Sequence, residues 1–286
     1  MTVKLLALDL DGTLLDSKSH LSEENRQAVT RAREAGLEAL IVTGRSWRGT
    51  QPYYRALGLT GPAICYMGAL VVEGATGQVL YHRPLVREAW EQLRHFALQE
   101  GLPVTACVGI EQSVADGALP SDGALPSDGL VAADTAYATC RADDFTGWED
   151  WNPYTEMSPD LAPCKAPPIM LAVYGDRAVA RVLEAFPNGL PESQFDLHDK
   201  VAGETVLHVW HGSVDKGQAL GDFCRRRGIA RDEVAAIGDM PMDASMLAFA
   251  GLGIAVPDAH PSLKEVATWV LTPSEAIARI LAEGVS

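Results

Sequence analysis

Asp9 and Asp11, in a DLDGT segment near the start of the chain, are the residues best suited to chemistry. They follow an apolar run, residues 3–8, which predicts a strand buried on both faces of a parallel sheet. Carboxylates spaced i, i+2 project to the same side of an extended chain. Two negative charges so close together are unfavourable unless a cation neutralises them or a reaction requires them. A turn or capping role would explain Asp11 and the glycine after it, but not Asp9, which stands where the apolar strand should continue.

A second acidic pair, Asp239 and Asp243, follows another predicted buried strand at residues 234–237. If the strands are parallel, their carboxyl ends open on the same edge of the sheet, where ligands bind in such folds. Carboxylates meeting there would form an oxygen-rich site suited to Mg²⁺, with water completing an octahedron. The structural alternative is that Asp239 is a turn residue and Asp243 caps a helix.

A phosphate-binding role is predicted for Thr43, Gly44 and Lys216. Thr43 and Gly44 close the predicted strand 37–42 and offer a hydroxyl and backbone N–H groups where a helix begins, a favourable place for a phosphate. Lys216 stands at the start of the predicted helix 215–227, where a cation opposes the helix dipole. A lysine at a locally unfavourable position indicates a role in a functional site. The alternative is that Lys216 is an ordinary surface lysine.

Strands and helices alternate over the first 80 and the last 75 residues, which predicts an α/β fold with a doubly wound, Rossmann-like parallel sheet. The middle of the chain reads instead as an α+β insertion with helices at 86–99 and 177–185 and strands at 104–108, 169–174 and 205–210. A loop-rich stretch up to about residue 168 contains a duplicated hexamer, DGALPS, at 116–127. We therefore predict a core of residues 1–82 and 212–286, interrupted by an insert of residues 83–211.

Composition and charge narrow the class of protein. The 286 residues carry 23 Lys and Arg against 38 Asp and Glu, a formal net charge of -15, which argues against nucleic acid and anionic membranes as partners. No apolar run approaches about 18 residues, so no transmembrane helix is expected. The five cysteines form no CxxC pair, and the N-terminus has no signal-peptide pattern, so a reduced, cytoplasmic location is expected.

The four segments taken together resemble a known family. The DLDGT segment, Thr43, Lys216 and the pair Asp239 and Asp243 occur in the order of the four motifs of haloacid dehalogenase (HAD) superfamily phosphatases. The length of chain ahead of Lys216 is similar to that of the Cof-type branch, in which a large cap is inserted after the third core strand. The resemblance implies a HAD-type core with an α+β cap that sets substrate specificity. It also implies a phosphoric monoester hydrolase that acts on small phosphorylated metabolites, either a sugar phosphate or a phosphorylated cofactor.

The resemblance also implies roles for the acidic residues. Asp9 would attack phosphorus and form an aspartyl-phosphate, which divides one difficult displacement into two easier ones. Asp11 would protonate the leaving alcohol and then deprotonate the hydrolytic water. Mg²⁺ would be held by Asp9, the backbone carbonyl of Asp11 and Asp239.

The remaining motif residues would handle the phosphate. Thr43, Gly44 and Lys216 would bind the phosphoryl oxygens, whose charge must be stabilised in the transition state. Asp243 would orient Lys216 or metal-bound water from outside the direct ligand set.

Three positions depart from the family pattern. Met242 stands where the family has Asn before the last Asp, and a thioether cannot donate a hydrogen bond. Met67 replaces Asn in a segment resembling Asn-Gly-Ala, and Pro257 replaces Gly in a turn near the C-terminus. Two alternatives to a phosphatase therefore stay open. One is a phosphomutase of the same superfamily, and the other is a degenerate protein that binds a phosphorylated ligand with weak turnover.

Overall fold

The computed structural model describes residues 2–110, 132–139, 155–201 and 204–284. The chain divides into two compact units. The first unit comprises Met1–Gly44, Thr50–Ala75 and Asp215–Ser286, and the second comprises Arg45–Gly49 and Thr76–Val214. The duplicated hexamer at 116–127 lies outside the described residues.

Helices and strands alternate along the first unit, whereas strands predominate in the second. The helices are α1 Glu23–Glu34, α2 Trp47–Ala56, α3 Arg87–Glu100, α4 Asp176–Ala185, α5 Lys216–Arg227, α6 Ala244–Phe249, α7 Pro261–Val266 and α8 Pro273–Gly284. The strands are β1 Leu5–Leu8, β2 Glu38–Ile41, β3 Pro62–Cys65, β4 Leu70–Glu73, β5 Val79–His82, β6 Val104–Ile110, β7 Ala132–Ala138, β8 Thr155–Met157, β9 Met170–Tyr174, β10 Ser193–Val201, β11 Glu204–His211, β12 Val234–Gly238, β13 Leu252–Ala255 and β14 Trp269–Val270. Within the described ranges, no helix combines the length and the apolar character that crossing a membrane requires.

A parallel sheet forms the centre of the first unit. Its strand order is β14-β13-β12-β1-β2, and every pair is parallel. Strands β1 and β12 are buried along their whole length, as expected for a sheet covered on both faces. An isolated parallel bridge between Val42 and Ile64 joins the end of β2 to β3, which pairs antiparallel with β4. The α/β fold class is confirmed.

Helix α5 begins and ends where the sequence indicates. Asp215 caps its N-terminus, because the Asp215 carboxylate accepts a hydrogen bond from the backbone N–H of Gln218 at 2.8 Å. Gly228 follows the last residue with a φ of 67°, the left-handed conformation that glycine adopts readily at helix ends. Lys216 is therefore held in the first turn of the helix.

The second unit has a six-stranded sheet of order β10-β11-β9-β6-β7-β8. Buried side chains of α3 and α4 form one apolar cluster with alternate residues of three strands. They include Trp90 and Leu93 of α3, Val179 and Val182 of α4, and Val104, Leu171 and Leu207 of β6, β9 and β11. The helices therefore cover one face of this sheet.

Three strands of this sheet were not predicted. The sequence favoured a loop-rich stretch up to about residue 168, yet β7 and β8 lie within it, and β10 was missed altogether. Strand β7 is rich in alanine, which has low strand propensity, and β10 is a polar edge strand that pairs only with β11. Strand β7 is stabilised by pairing with β6, a distant segment that a local sequence pattern does not reveal. Strand β10 forms a hairpin with the neighbouring β11, and its polar composition hid it.

Candidate active site

Three parallel strands bring the predicted residues to one edge of the central sheet. Leu8, the last residue of β1, is aligned with Ile237 of β12 and with Ile41 of β2. The backbone N–H of Asp9 then donates to Ile237 O at 3.1 Å, which continues the ladder by one residue. Asp9 and Asp239 follow β1 and β12 directly, and Thr43 lies two residues beyond β2, so all three share the carboxyl edge of the sheet.

Three carboxylates converge there. One oxygen each from Asp9, Asp239 and Asp243 lies within 4.8 Å of the others. Asp9 and Asp243 are buried, and Asp239 is partly buried. The carboxylate of Asp11 does not belong to this group in the described structure, although its charge contributes to raising the pKa of Asp239.

Lys216 supplies the positive charge of the cluster. Its Nζ donates to Asp9 Oδ1 at 2.7 Å and to Asp243 Oδ1 at 2.5 Å, and its side chain is only 2% exposed. Burial lowers the pKa of Lys216, but the charges of Asp243 and Asp9 outweigh it, so the pKa lies above its usual value. The ammonium therefore stays charged between two carboxylates.

Both oxygens of Asp243 are engaged. While Oδ1 accepts from Lys216, Oδ2 accepts from the backbone N–H groups of Asp239 and Met240, each at 3.0 Å. Asp243 therefore fixes the ammonium on one side and the loop that carries Asp239 on the other. This leaves Asp9 and Asp239 as the carboxylates better placed to coordinate an ion.

The electrostatics of the cluster fit a divalent cation. Burial and the charges of Asp243 and Asp239 raise the pKa of Asp9 well above its usual value, although Lys216 opposes them. Burial and Asp243 raise the pKa of Asp239 to about 6. One ammonium among three carboxylates leaves an excess of negative charge that a hard cation with oxygen ligands would neutralise.

The turn after Asp11 is shaped around Asp239. Gly12 has a φ of +72°, and a Cβ at that position would lie 2.2 Å from Asp239 Oδ2, so only glycine fits. Thr13 Oγ1 donates to Asp239 Oδ1 at 3.2 Å. No separate role is predicted for Thr13 from the sequence, although its place four residues after Asp9 could indicate one.

Thr43 is held by a second turn. It is fully buried, its N–H donates to Ile64 O at 2.9 Å, and its carbonyl accepts from Met67 N at 3.1 Å. Met67 has a φ of 58°, an uncommon conformation for a residue with a side chain. Because Met67 holds Thr43 through its backbone, the departure from the family's Asn leaves this bond intact.

The same turn contacts the start of α5. Gly68 has a φ of +106°, and a Cβ there would lie 2.9 Å from Asp215 O and 2.8 Å from the Ala219 side chain. The turn Tyr66–Gly68 thus packs between Thr43 and the helix that carries Lys216. Gly44, next to Thr43, is partly buried.

Comparison with known proteins decides the family. Residues 6–118 and 168–281 match the family described as haloacid dehalogenase-like hydrolase. The chain belongs to this family. The hydrolase is 29% identical over 281 residues to pyridoxal phosphate phosphatase YbhA of Escherichia coli (strain K12), covering 95% of this chain and 94% of that protein. It is also 29% identical over 279 residues to 5-amino-6-(5-phospho-D-ribitylamino)uracil phosphatase YwtE of Bacillus subtilis (strain 168), covering 94% and 92%.

A solved structure shows the same fold. A haloacid dehalogenase-like hydrolase from Bacteroides thetaiotaomicron superposes with a TM-score of 0.78 at 24% identity, covering 98% of this hydrolase and all of that chain. The predicted membership of the Cof-type phosphatases is confirmed, as is an α/β core with an additional sheet region. The hydrolase is thus an enzyme of the HAD phosphatase type. Phosphatases of this superfamily typically use a metal ion, and the three-aspartate group accords with that.

Proposed function

We propose that the protein is a Mg²⁺-dependent phosphatase that hydrolyses monoesters of small phosphorylated metabolites through an aspartyl-phosphate on Asp9. The observation that carries this proposal is the arrangement around Asp9. Its carboxylate is buried at the sheet edge, with Lys216 Nζ 2.7 Å from one oxygen and carboxylates of Asp239 and Asp243 close by. The side chains proposed as nucleophile, phosphate-binding cation and metal ligands thus lie close together, which supports the proposal.

In the proposed reaction, a carboxylate oxygen of Asp9 forms a bond to phosphorus as the ester P–O bond breaks. Asp11 donates a proton to the departing alcohol oxygen. Water then attacks the phosphorus of the aspartyl-phosphate while Asp11 takes the proton from that water. Inorganic phosphate leaves, and the Asp9 carboxylate is restored.

The phosphoryl group would be held by Lys216, the Thr43 hydroxyl and the backbone at Gly44. These donors stabilise charge on the phosphoryl oxygens, which is the main demand of a loose, in-line transfer. Asp243 is a positioning residue in this scheme, because it touches Lys216 and the Asp239 loop.

Asp9 and Asp239 would hold the Mg²⁺ ion, together with the backbone carbonyl of Asp11. When bound, the ion shields the anionic nucleophile from the anionic phosphate. Thr13 and Gly12 would keep the Asp239 carboxylate in place, through a hydrogen bond and through close backbone approach.

We assign catalysis to a core of residues 1–82 and 212–286 and substrate choice to a cap of residues 83–211. The substrate would be a small molecule, a sugar phosphate or a phosphorylated cofactor, in the cytoplasm, with neither nucleic acid nor membrane as partner. The relatives named for pyridoxal phosphate and for a phosphoribitylaminouracil support the cofactor-like class.

Phosphate release from several esters, with Mg²⁺ and with EDTA, tests the proposal. Asp9→Asn should lower kcat by about a thousandfold or more, as expected when a nucleophile is removed. Asp16→Asn, which alters an exposed aspartate that accepts local backbone hydrogen bonds, is the control and should retain activity. Full activity in Asp9→Asn would overturn the mechanism. An isomerised product without free phosphate would instead indicate a phosphomutase, and tight binding without turnover a binding protein.

A further inference from the structure

The loop that begins at Asp11 is closed by backbone pairing. Asp11 and Leu15 form a parallel bridge, and Leu15 in turn forms an antiparallel bridge with Leu21. The N–H of Leu15 also donates to Leu10 O at 2.8 Å, across a tight turn. We call residues 11–21 the acid loop. Because of these bridges, a change of shape in the far part of the acid loop is transmitted to Asp11 by paired backbone as well as along the chain.

Two side chains from separate helices hold the acid loop. Asn25 of α1 donates an Nδ2 hydrogen to Leu14 O at 3.0 Å, near the beginning of the loop. Tyr53 of α2 donates its hydroxyl to Ser19 O at 2.9 Å, near the far end. Tyr53 and Ser19 are 34 positions apart in the sequence, so this contact ties the loop to a distant element. Asp11, Ser19 and Tyr53 all belong to the first unit.

Ser19 has an unfavourable backbone conformation. Its φ of 57° lies in the left-handed region, which is uncommon and costly for a residue with a side chain. Its N–H donates to Asp16 O at 3.0 Å, so the chain turns sharply at this point. The hydrogen bond from Tyr53 therefore acts on the residue at which the acid loop would most readily change its shape.

We infer that Tyr53 is a positioning residue for Asp11, because its hydroxyl fixes the shape of the acid loop and, through the two backbone bridges, the place of the Asp11 carboxylate. This inference rests on the proposed function, which gives the proton transfers to Asp11. A general acid must lie within about 3 Å of the oxygen that it protonates, and a misplacement of about 1 Å is costly. Loss of the Tyr53 hydroxyl should therefore weaken proton transfer and leave the attack by Asp9 intact.

Two aryl esters that differ in their need for a proton test this inference with Tyr53→Phe. Phenyl phosphate and p-nitrophenyl phosphate are similar in shape. The p-nitrophenolate ion leaves readily without a proton, whereas phenolate is the stronger base and gains more from general acid catalysis. In the proposed reaction, kcat/KM reports the step in which the ester P–O bond breaks. Tyr53→Phe should lower kcat/KM for phenyl phosphate about fivefold, the factor that corresponds to one net hydrogen bond, and that for p-nitrophenyl phosphate less than about twofold.

Tyr54→Phe is the matched control on the same helix. The Tyr54 hydroxyl donates to Gly61 O at 2.6 Å, just before β3, and has no such contact with the acid loop within the described residues. This variant also loses one tyrosine hydroxyl that donates to a backbone carbonyl. It should leave the ratio of the two kcat/KM values as in wild type.

The ratio of the two kcat/KM values separates positioning of Asp11 from a general structural role. An equal loss for both esters in Tyr53→Phe, no loss for either, or the same change of ratio in Tyr54→Phe would overturn the inference and leave the phosphatase proposal standing. Failure of wild type to hydrolyse any phosphate ester would overturn the proposed function itself.

Discussion

Acidification should destabilise this protein through one buried histidine. His82, the last residue of β5, is 5% exposed. Neither Nδ1 nor Nε2 has a hydrogen-bond partner within the described part of the chain. Burial, which disfavours the charged imidazolium, lowers the pKa of His82 to about 4 from the usual 6.5. The folded protein therefore holds this side chain neutral at a pH where an unfolded chain would protonate it.

The sign and size of the effect follow from that difference. At neutral pH both states are mostly unprotonated at this position, so nearly all of the stability is present. As the pH falls below about 6.5, the unfolded chain binds a proton that the folded protein excludes, and the free energy of unfolding falls by about 1.4 kcal/mol per pH unit. Down to a pH of about 4 the total loss is about 3 kcal/mol, a substantial fraction of the 5–15 kcal/mol that is typical of domains.

Urea unfolding at pH 7, 6 and 5, followed by far-ultraviolet circular dichroism, measures this loss. The comparison is with His82→Leu, which is close in size and has no proton to bind. Other titrating groups act alike in both proteins, so the difference between them isolates His82. Wild type should lose about 2 kcal/mol more than His82→Leu between pH 7 and 5.

His20→Leu is the control, because His20 is 75% exposed and its replacement should leave the pH dependence as in wild type. If wild type and His82→Leu lose the same free energy of unfolding over this range, the burial of a neutral histidine is refuted.

Three further outcomes are expected. Asp243→Asn removes one of the two carboxylates that bind the buried ammonium while Asp9 stays paired with it, and should lower the free energy of unfolding by about 1–3 kcal/mol in urea titrations. Asp222→Asn, in an exposed pair on α5, should cost at most about 1 kcal/mol. Gly12→Ala should lower kcat more than tenfold, because its Cβ displaces the Asp239 carboxylate, whereas Gly36→Ala, with open space around it, should retain kcat in the same assay. EDTA should abolish phosphate release without changing the circular dichroism spectrum, and added Mg²⁺ should restore it.

The core was predictable because its patterns are local. Short, continuous apolar runs mark β1 and β12, and each is followed at once by an aspartate. Parallel pairing then places Asp9 and Asp239 on one edge without further information. Strands β7 and β10 have no such pattern. Strand β7 depends on pairing with β6, which no short window of sequence around it contains. Strand β10 pairs with the adjacent β11, but its own residues are largely polar and do not mark a strand.

The individual contacts within the site were harder to predict from the sequence. Lys216 was noticed because a cation at a helix N-terminus is locally unfavourable, and its two carboxylate contacts explain how that cost is offset. Those contacts join residues 207 and 27 positions apart, so their distances could not be read from spacing. The sequence likewise did not predict that Asp243 binds both Lys216 and the Asp239 backbone, or that the Thr13 hydroxyl donates to Asp239. Both contacts depend on the conformation of loops.

The turn Tyr66–Gly68 has a consequence for how such an enzyme could change over evolutionary time. It touches the backbone of Thr43 on one side and the start of α5 on the other. A substitution at Gly68 would therefore displace together the two elements proposed to bind phosphate, and no single compensating change could restore both. Substitutions that adapt the enzyme to new substrates should therefore be rare in this turn. They should accumulate in segments that can shift independently of each other.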